Sequence, residues 1–175
     1  MNREFDVIIY GASGFTGRLV AEYMGNTYGR SINWAMAGRN TVKLAEVRDE
    51  IGASPETPLV TADADDLDSL RVMVKSAQCI CSTVGPYQLY GSELVRLCAE
   101  EGTHYVDLSG EPGWMHDMIA AHHETARASG ARIVHSCGFD SIPFDLGVYF
   151  LQQHAIKATG ELSLIHISEP TRRRG

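Results

Sequence analysis

Short apolar runs alternate with amphipathic segments along most of the chain, and this alternation predicts strands and helices in turn. The first run, Phe5 to Tyr10, has the sequence FDVIIY, which is typical of a strand buried on both faces. The predicted strands cover residues 5–10, 32–37, 58–62, 78–84, 104–108 and 131–136. The predicted helices cover residues 18–24, 41–51, 66–76, 92–101, 114–129 and 143–154.

Strands that alternate with helices predict an α/β protein with a parallel sheet and right-handed crossovers. We therefore expect a doubly wound sheet with helices on both faces. The usual strand order of such a sheet is 3-2-1-4-5-6, the Rossmann arrangement. We expect residues 1–162 to form this single domain, and a seventh strand over 162–167 is a weaker prediction.

Composition narrows the class of protein. The chain has 175 residues, of which 44% are hydrophobic and 21% are charged, and its formal charge is −7. An acidic chain of this kind argues against a general nucleic-acid binder, which needs a basic face. Neither a signal peptide nor a transmembrane segment is indicated, and the four cysteines lack metal-ligand spacing. These features favour a cytoplasmic protein with reduced thiols and no metal site.

A glycine-rich turn follows the first predicted strand. Its sequence is Gly11-Ala-Ser-Gly14-Phe-Thr-Gly17, a variation on the commonest dinucleotide-binding pattern. The first glycine permits the turn, the second allows close approach of a pyrophosphate, and the third allows the helix to pack on the sheet. The N-terminus of the helix that follows would offer N–H groups to the phosphates, with Ser13 and Thr16 as further hydroxyl donors. Phe15, in the same turn, is counted among the cofactor-binding residues.

The end of the second strand distinguishes between two dinucleotides. NAD sites usually have an acidic residue there to hold the ribose 2′-hydroxyl, whereas this chain has Gly38-Arg39. An arginine can pair with a 2′-phosphate through two parallel hydrogen bonds. We therefore predict NADP(H) as the cofactor, while the alternative is that Arg39 only solvates a strand end.

Polar and glycine residues follow the other strands, at the edge where ligands bind in this class of sheet. Asp63 and Ala64 follow the third strand, where the carboxylate could accept from an adenine amine or could cap the next helix. The segment Thr83-Val84-Gly85-Pro86-Tyr87 follows the fourth strand. We expect it to lie beside the nicotinamide ribose, and a plain structural turn is the competing interpretation.

Candidates for chemistry in the remaining loops are less specific. Asp107 and Glu111 could act as acid and base or could cap helices, which is the commoner role of loop carboxylates. Cys137 is more typical of an inert thiol than of a nucleophile. Asp140 and Ser141 are expected near a helix N-cap, and His116 and His123 are expected to be solvated. The chain has no tyrosine followed four residues later by lysine, so the catalytic pair of short-chain dehydrogenases is excluded.

Five segments together resemble the saccharopine dehydrogenase-like oxidoreductases, and more narrowly the trans-acting enoyl reductases within that group. They are listed here in chain order: Tyr10 to Gly17, Ala37 to Arg39, Thr83 to Tyr87 with Tyr90-Gly91, His104 to Glu111, and Cys137 to Pro143. The resemblance implies an NADP-binding Rossmann domain followed by a second domain that shapes the substrate pocket and often mediates a homodimer. We expect these 175 residues to lack that second domain.

In the enoyl-reductase version, hydride passes from the nicotinamide to the β-carbon of an acyl-thioester substrate, and no residue of this chain is assigned as the proton donor. One alternative is a saccharopine-type reductase acting on an imine of an amino acid, a small-molecule substrate. Another is a regulator that senses NADP(H) without catalysis. The ending SLIHISEPTRRRG, residues 163–175, resembles a translated sequencing adaptor. We therefore expect those residues to be non-native or disordered and the natural protein to continue beyond residue 162.

Overall fold

The computed structural model describes residues 3–29 and 31–160, and its centre is a six-stranded parallel sheet. The strands are β1 Phe5–Tyr10, β2 Trp34–Gly38, β3 Leu59–Thr61, β4 Ala77–Ser82, β5 His104–Asp107 and β6 Ile133–Val134. Their order is β3-β2-β1-β4-β5-β6, and every pairing is parallel. The predicted doubly wound sheet and its strand order are confirmed.

Helices connect the strands. They are α1 Phe15–Thr27, α2 Thr41–Glu50, α3 Leu67–Ser76, α4 Tyr87–Tyr90, α5 Ser92–Glu101, α6 Pro112–Ser129 and α7 Ile142–Thr159. The short helix α4 was not predicted from the sequence. Gly102 and Gly130 end α5 and α6 with φ of 70° and 83°, a left-handed conformation that glycine adopts without steric cost.

The core has two parts because neighbouring strand residues point to opposite faces of the sheet. Ile8 packs in one cluster with Leu70, Met73 and Tyr105, while Ile9 packs in the other with residues of α1, α2 and β2. Helices therefore cover both faces, as predicted.

Among the strands, the largest difference from the sequence prediction is at β6. The predicted strand covers 131–136, whereas the observed one covers only Ile133–Val134. The backbone leaves the extended conformation at Ser136, where φ is 58°. The Ser136 N–H then donates to the Asp107 carboxylate at 2.9 Å instead of joining the sheet.

The described residues divide into two units, one up to residue 138 and one from residue 139 onward. The first contains the sheet and helices α1 to α6. The second contains α7, in which no residue is buried. Ser141 occupies the N-cap position of α7, but its side chain makes no capping hydrogen bond. The predicted seventh strand and the tail from residue 163 lie outside the described residues. Among the described helices, none combines the length and hydropathy needed to cross a membrane.

Candidate functional site

The turn after β1 brings α1 unusually close to the strand. Gly11 has φ of +90°, and its carbonyl accepts from the Gly14 N–H at 2.9 Å. A Cβ at Gly17 would collide with the Gly11 carbonyl and lie 2.7 Å from Thr83 Oγ1. Glycine at positions 11 and 17 is therefore a requirement of backbone geometry and packing. The close approach places the N-terminus of α1 at the carboxyl edge of the sheet.

That N-terminus suits an anion. Gly14 is the N-cap of α1, no side chain caps the helix, and its first turn has no acidic residue. The first N–H groups of a helix have no acceptor within the helix. By contrast, Asn40 caps α2 and Asp66 caps α3 through side-chain oxygens. The structure therefore leaves the positive end of the α1 dipole available to a phosphate.

A cavity of about 290 Å³ opens beside this turn. It lies at the carboxyl ends of β1 to β4, where ligands bind in doubly wound sheets. Its lining residues are Tyr10, Gly11, Ser13, Gly14, Gly38, Arg39, Asp63, Ala64, Asp65, Thr83, Val84, Gly85 and Tyr90. A larger cavity of about 570 Å³ is lined by residues at the amino ends of the strands, including Phe5, Trp34 and Pro58. That end of the sheet lacks the glycine turn and the uncapped helix.

The smaller cavity brings together most of the residues predicted from sequence. Phe15, Thr16 and Gly17 lie in the first turn of α1 and do not line it, and neither do Pro86 and Tyr87. Three lining residues were missed: Tyr10, Asp65 and Tyr90. Tyr10 ends the first strand, and this position was the available signal for it.

Arg39 is exposed directly after β2, and its guanidinium makes no hydrogen bond or ion pair with the residues that the structure describes. Burial raises the pKa of Tyr10 to about 12, with Asp63 and Asp65 raising it further and Arg39 lowering it. The Tyr10 hydroxyl is therefore protonated at neutral pH. This end of the cavity carries one unpaired cation near two carboxylates.

The helix-capping role that was considered for Asp63 belongs to Asp66. Asp66 Oδ1 accepts from the N–H groups of Asp68 and Ser69 at 3.1 and 3.2 Å. Asp63 Oδ1 instead accepts from the Asp65 N–H at 3.2 Å, which fixes the turn after β3. The Asp63 side chain thus lies at the cavity wall.

The side chain of Tyr87 lies in the core. It is 5% exposed, its hydroxyl donates to the Ser82 carbonyl at 3.0 Å, and its ring lies 5.4 Å from that of Trp114. Burial raises the pKa of Tyr87 to about 12. The fourth-strand segment therefore presents Thr83, Val84 and Gly85 to the cavity and anchors itself through Tyr87.

Asp107 and Glu111 both accept hydrogen bonds from backbone groups. Asp107 is 3% exposed and accepts from Ser109 N, Ser136 N and His135 Nδ1 at 3.0, 2.9 and 2.7 Å. Burial raises its pKa, but these hydrogen bonds outweigh burial and hold the pKa below its usual value. An ionised, fully hydrogen-bonded carboxylate of this kind is structural rather than a general acid.

The remaining candidates for chemistry lack activating surroundings. Burial and the Asp107 charge raise the pKa of the Cys137 thiol, and a raised pKa disfavours the reactive thiolate. His116 and His123 have side chains that are 82% and 66% exposed. Within the described residues, no three or more His, Cys, Asp or Glu side chains are grouped so as to hold a metal ion.

Residues 7–134 match the family model described as the saccharopine dehydrogenase NADP binding domain. A protein of Mycobacterium tuberculosis provisionally named as a trans-acting enoyl reductase is 48% identical over 159 residues. The trans-acting enoyl reductase of Mycobacterium leprae is 45% identical over 162 residues. These alignments cover 90% and 91% of the chain but only 38% of each relative.

Two solved structures share the fold. Apo saccharopine dehydrogenase (L-Glu forming) from Saccharomyces cerevisiae matches with a TM-score of 0.65 at 16% identity, over 88% of this chain and 32% of that one. Triphenylmethane reductase from Citrobacter sp., solved with NADP(H), matches with a TM-score of 0.54 at 15% identity, over 74% of this chain and 48% of that one.

Proposed function

Since the chain belongs to the family of saccharopine dehydrogenase NADP-binding domains and its cofactor is NADP(H), we propose that the 290 Å³ cavity holds this dinucleotide. The pyrophosphate lies against Gly11 to Gly17 and the uncapped start of α1. Arg39 pairs with the 2′-phosphate, and Asp63 and Ala64 lie beside the adenine. Thr83, Val84 and Gly85 contact the nicotinamide ribose.

The observation that carries this assignment is the position of Arg39. Its guanidinium is exposed at the wall of the cavity that contains the glycine turn, with no ion-pair partner among the described residues. A planar guanidinium matches phosphate geometry through two parallel hydrogen bonds. Asp63 and Asp65 lie on the same wall, so the cation also offsets their repulsion of a phosphate.

The activity that the chain serves in this proposal is reduction of an enoyl thioester. Its support is the identity of 44–48% to relatives named trans-acting enoyl reductases. The bound nicotinamide supplies the hydride. The residues of this chain bind the cofactor, fix its orientation and select the phosphorylated form.

The chain spans 38% of the length of the curated relatives it matches, so the substrate pocket of this proposal belongs to the rest of a longer protein. Helix α7 supports this division. It carries Phe144, Leu146, Val148 and Phe150 on opposite sides of the helix, each at least 56% exposed, and a helix that is apolar around its circumference needs covering partners. The further domain would cover α7 and mediate a homodimer, and the free cysteines suit a reducing, cytoplasmic setting.

The cofactor assignment is tested by calorimetric titration of the chain with NADPH and with NADH. NADPH should bind about ten times more tightly, a difference of about 1.4 kcal/mol. Arg39→Ala should remove most of that preference while Arg127→Ala, an exposed arginine on α6, should leave it unchanged. Equal affinities of the unmodified chain for both dinucleotides would contradict the role of Arg39.

The activity is tested by joining residues 1–160 to the remaining part of the Mycobacterium leprae relative and following NADPH absorbance with a panel of enoyl thioesters. Consumption of NADPH that requires the thioester supports the proposal. NADPH binding without turnover across the panel would refute the activity and leave the cofactor assignment standing.

A further inference from the structure

The carboxylate of Glu111 links the loop after β5 to the loop after β4. Its Oε1 accepts from the Tyr87 N–H at 2.7 Å, and its Oε2 accepts from the Gln88 N–H at 2.9 Å. Glu111 occupies the N-cap position of α6 but makes no side-chain capping bond to that helix. It is instead the acceptor for the first backbone N–H groups of α4.

Glu111 is itself held in place by the end of β5. Its N–H donates to Ser109 Oγ at 3.2 Å, and the Ser109 N–H donates to Asp107 Oδ1 at 3.0 Å. The same Asp107 oxygen accepts from the Ser136 N–H after β6. The ends of β4, β5 and β6 are thereby joined through side-chain oxygens. Glu111 provides the link to β4.

The segment that lines the cavity is fixed at both sides. On one side, the backbone N–H and the hydroxyl of Thr83 donate to the Tyr10 carbonyl at 2.9 and 3.0 Å. On the other side, Glu111 holds Tyr87 and Gln88. Val84 and Gly85, which line the cavity together with Thr83, lie between these two anchors. Removing the Glu111 carboxylate would free one anchor and leave the other unchanged.

We propose that Glu111 is a positioning residue for the nicotinamide half of the bound dinucleotide. The inference rests on the proposed function, because it requires the cavity to bind NADP(H). In sheets of this order the second set of strands binds the second mononucleotide half, and here the loop after β4 forms that part of the cavity. Two charge-assisted hydrogen bonds hold the loop in its binding conformation. The adenosine half is held by the glycine turn and Arg39, with no contact to Glu111.

The test compares two ligands, NADPH and 2′,5′-ADP, the fragment that lacks the nicotinamide. Glu111→Ala should weaken NADPH binding by about tenfold, because two N–H groups lose a charged acceptor, and should change 2′,5′-ADP binding by less than about twofold. Glu111→Gln keeps one acceptor oxygen and should weaken NADPH binding by an intermediate factor of about three. The matched control is Glu124→Ala, which removes an exposed carboxylate from the same helix and should change neither affinity.

Each other outcome has a distinct meaning. Equal weakening of both ligands in the Glu111 variants would show a general structural role and overturn the proposal, and so would unchanged NADPH binding. If Glu111→Ala does not fold, the Glu111→Gln variant decides between these results. Failure of the unmodified chain to bind either ligand would instead refute the proposed cofactor site itself, and the inference with it.

Discussion

The substitution Gly17→Ala tests whether close contact between α1 and β1 is a requirement of this fold. A Cβ at position 17 would collide with the Gly11 carbonyl and lie 2.6 Å from its carbon. That carbonyl is fixed because it also accepts from the Gly14 N–H at 2.9 Å. The added Cβ would also lie 2.7 Å from Thr83 Oγ1, which donates to the Tyr10 carbonyl. Gly17→Ala must therefore push α1 away from the strand.

The expected cost follows from two opposing effects. Overpacking of a well-packed contact costs about 1–3 kcal/mol, and a collision with backbone belongs at the upper end of that range. Alanine in a helix recovers up to about 1 kcal/mol relative to glycine. The net loss is about 2 kcal/mol, which lowers the melting temperature of a domain of this size by about 4–8 °C.

Gly25→Ala is the matched control because Gly25 lies in the same helix. A Cβ there meets Trp34 Cζ2 at 3.7 Å and Ala53 Cβ at 3.9 Å, which is ordinary van der Waals contact. This variant should gain about 0.5–1 kcal/mol and melt a few degrees higher. Thermal unfolding followed by circular dichroism measures both. If Gly17→Ala melts at or above the temperature of the unmodified chain, the packing argument is wrong.

Two further predictions concern titratable groups. The pKa of Asp107 lies below its usual value in the folded protein, so its stabilising effect is complete above the unfolded pKa of about 3.9 and is lost as the pH falls through the lower folded value. Urea titrations should find Asp107→Asn less stable than the unmodified chain by about 1–3 kcal/mol at neutral pH, with the difference shrinking in acid. A difference that does not depend on pH would contradict this. Burial raises the pKa of all four cysteine thiols, to about 11 for Cys81, so Ellman's reagent should label the folded chain far more slowly than the chain in urea. Rapid labelling of all four thiols in the folded chain would contradict this, above all for Cys98, which is the fully buried one of the four.

Hydrophobic periodicity was sufficient to predict the strands of the sheet, and the usual order of doubly wound sheets then predicted how they are arranged. The strands β1, β2 and β4 are central and apolar, and parallel connection rules leave few arrangements for them. Periodicity failed at the edge, where β6 shortens because the Ser136 N–H donates to the side chain of Asp107 rather than to a backbone carbonyl of β5. That exchange depends on a side chain 29 positions away in the chain, and no local pattern contains it.

The residues of the candidate site also include some whose placement could be predicted from the sequence and others whose placement could not. The positions of Gly11, Gly14 and Arg39 at the cavity wall could be predicted, because they are set by backbone geometry and by the ends of strands. The placement of Tyr87 could not be predicted, because the direction of its side chain depends on the Ser82 carbonyl and on Trp114. The role of Glu111 was open for the same reason. A loop carboxylate can accept from its own helix or from another, and only the fold decides which.

The two ends of the cavity are consequently held by different kinds of interaction. At the end that the proposed site assigns to the adenosine half, the glycine turn and the start of α1 are contiguous in sequence. At the end proposed to bind the nicotinamide half, the loop after β4 is fixed by Glu111, which depends on Ser109 and Asp107 in turn. A substitution at Asp107, which is outside the cavity lining, should therefore loosen both the end of β6 and the loop after β4. Substitutions of the residues that form the hydrogen-bond chain from Asp107 to Glu111 should thus lower cofactor affinity. They should do so even though these residues do not line the cavity.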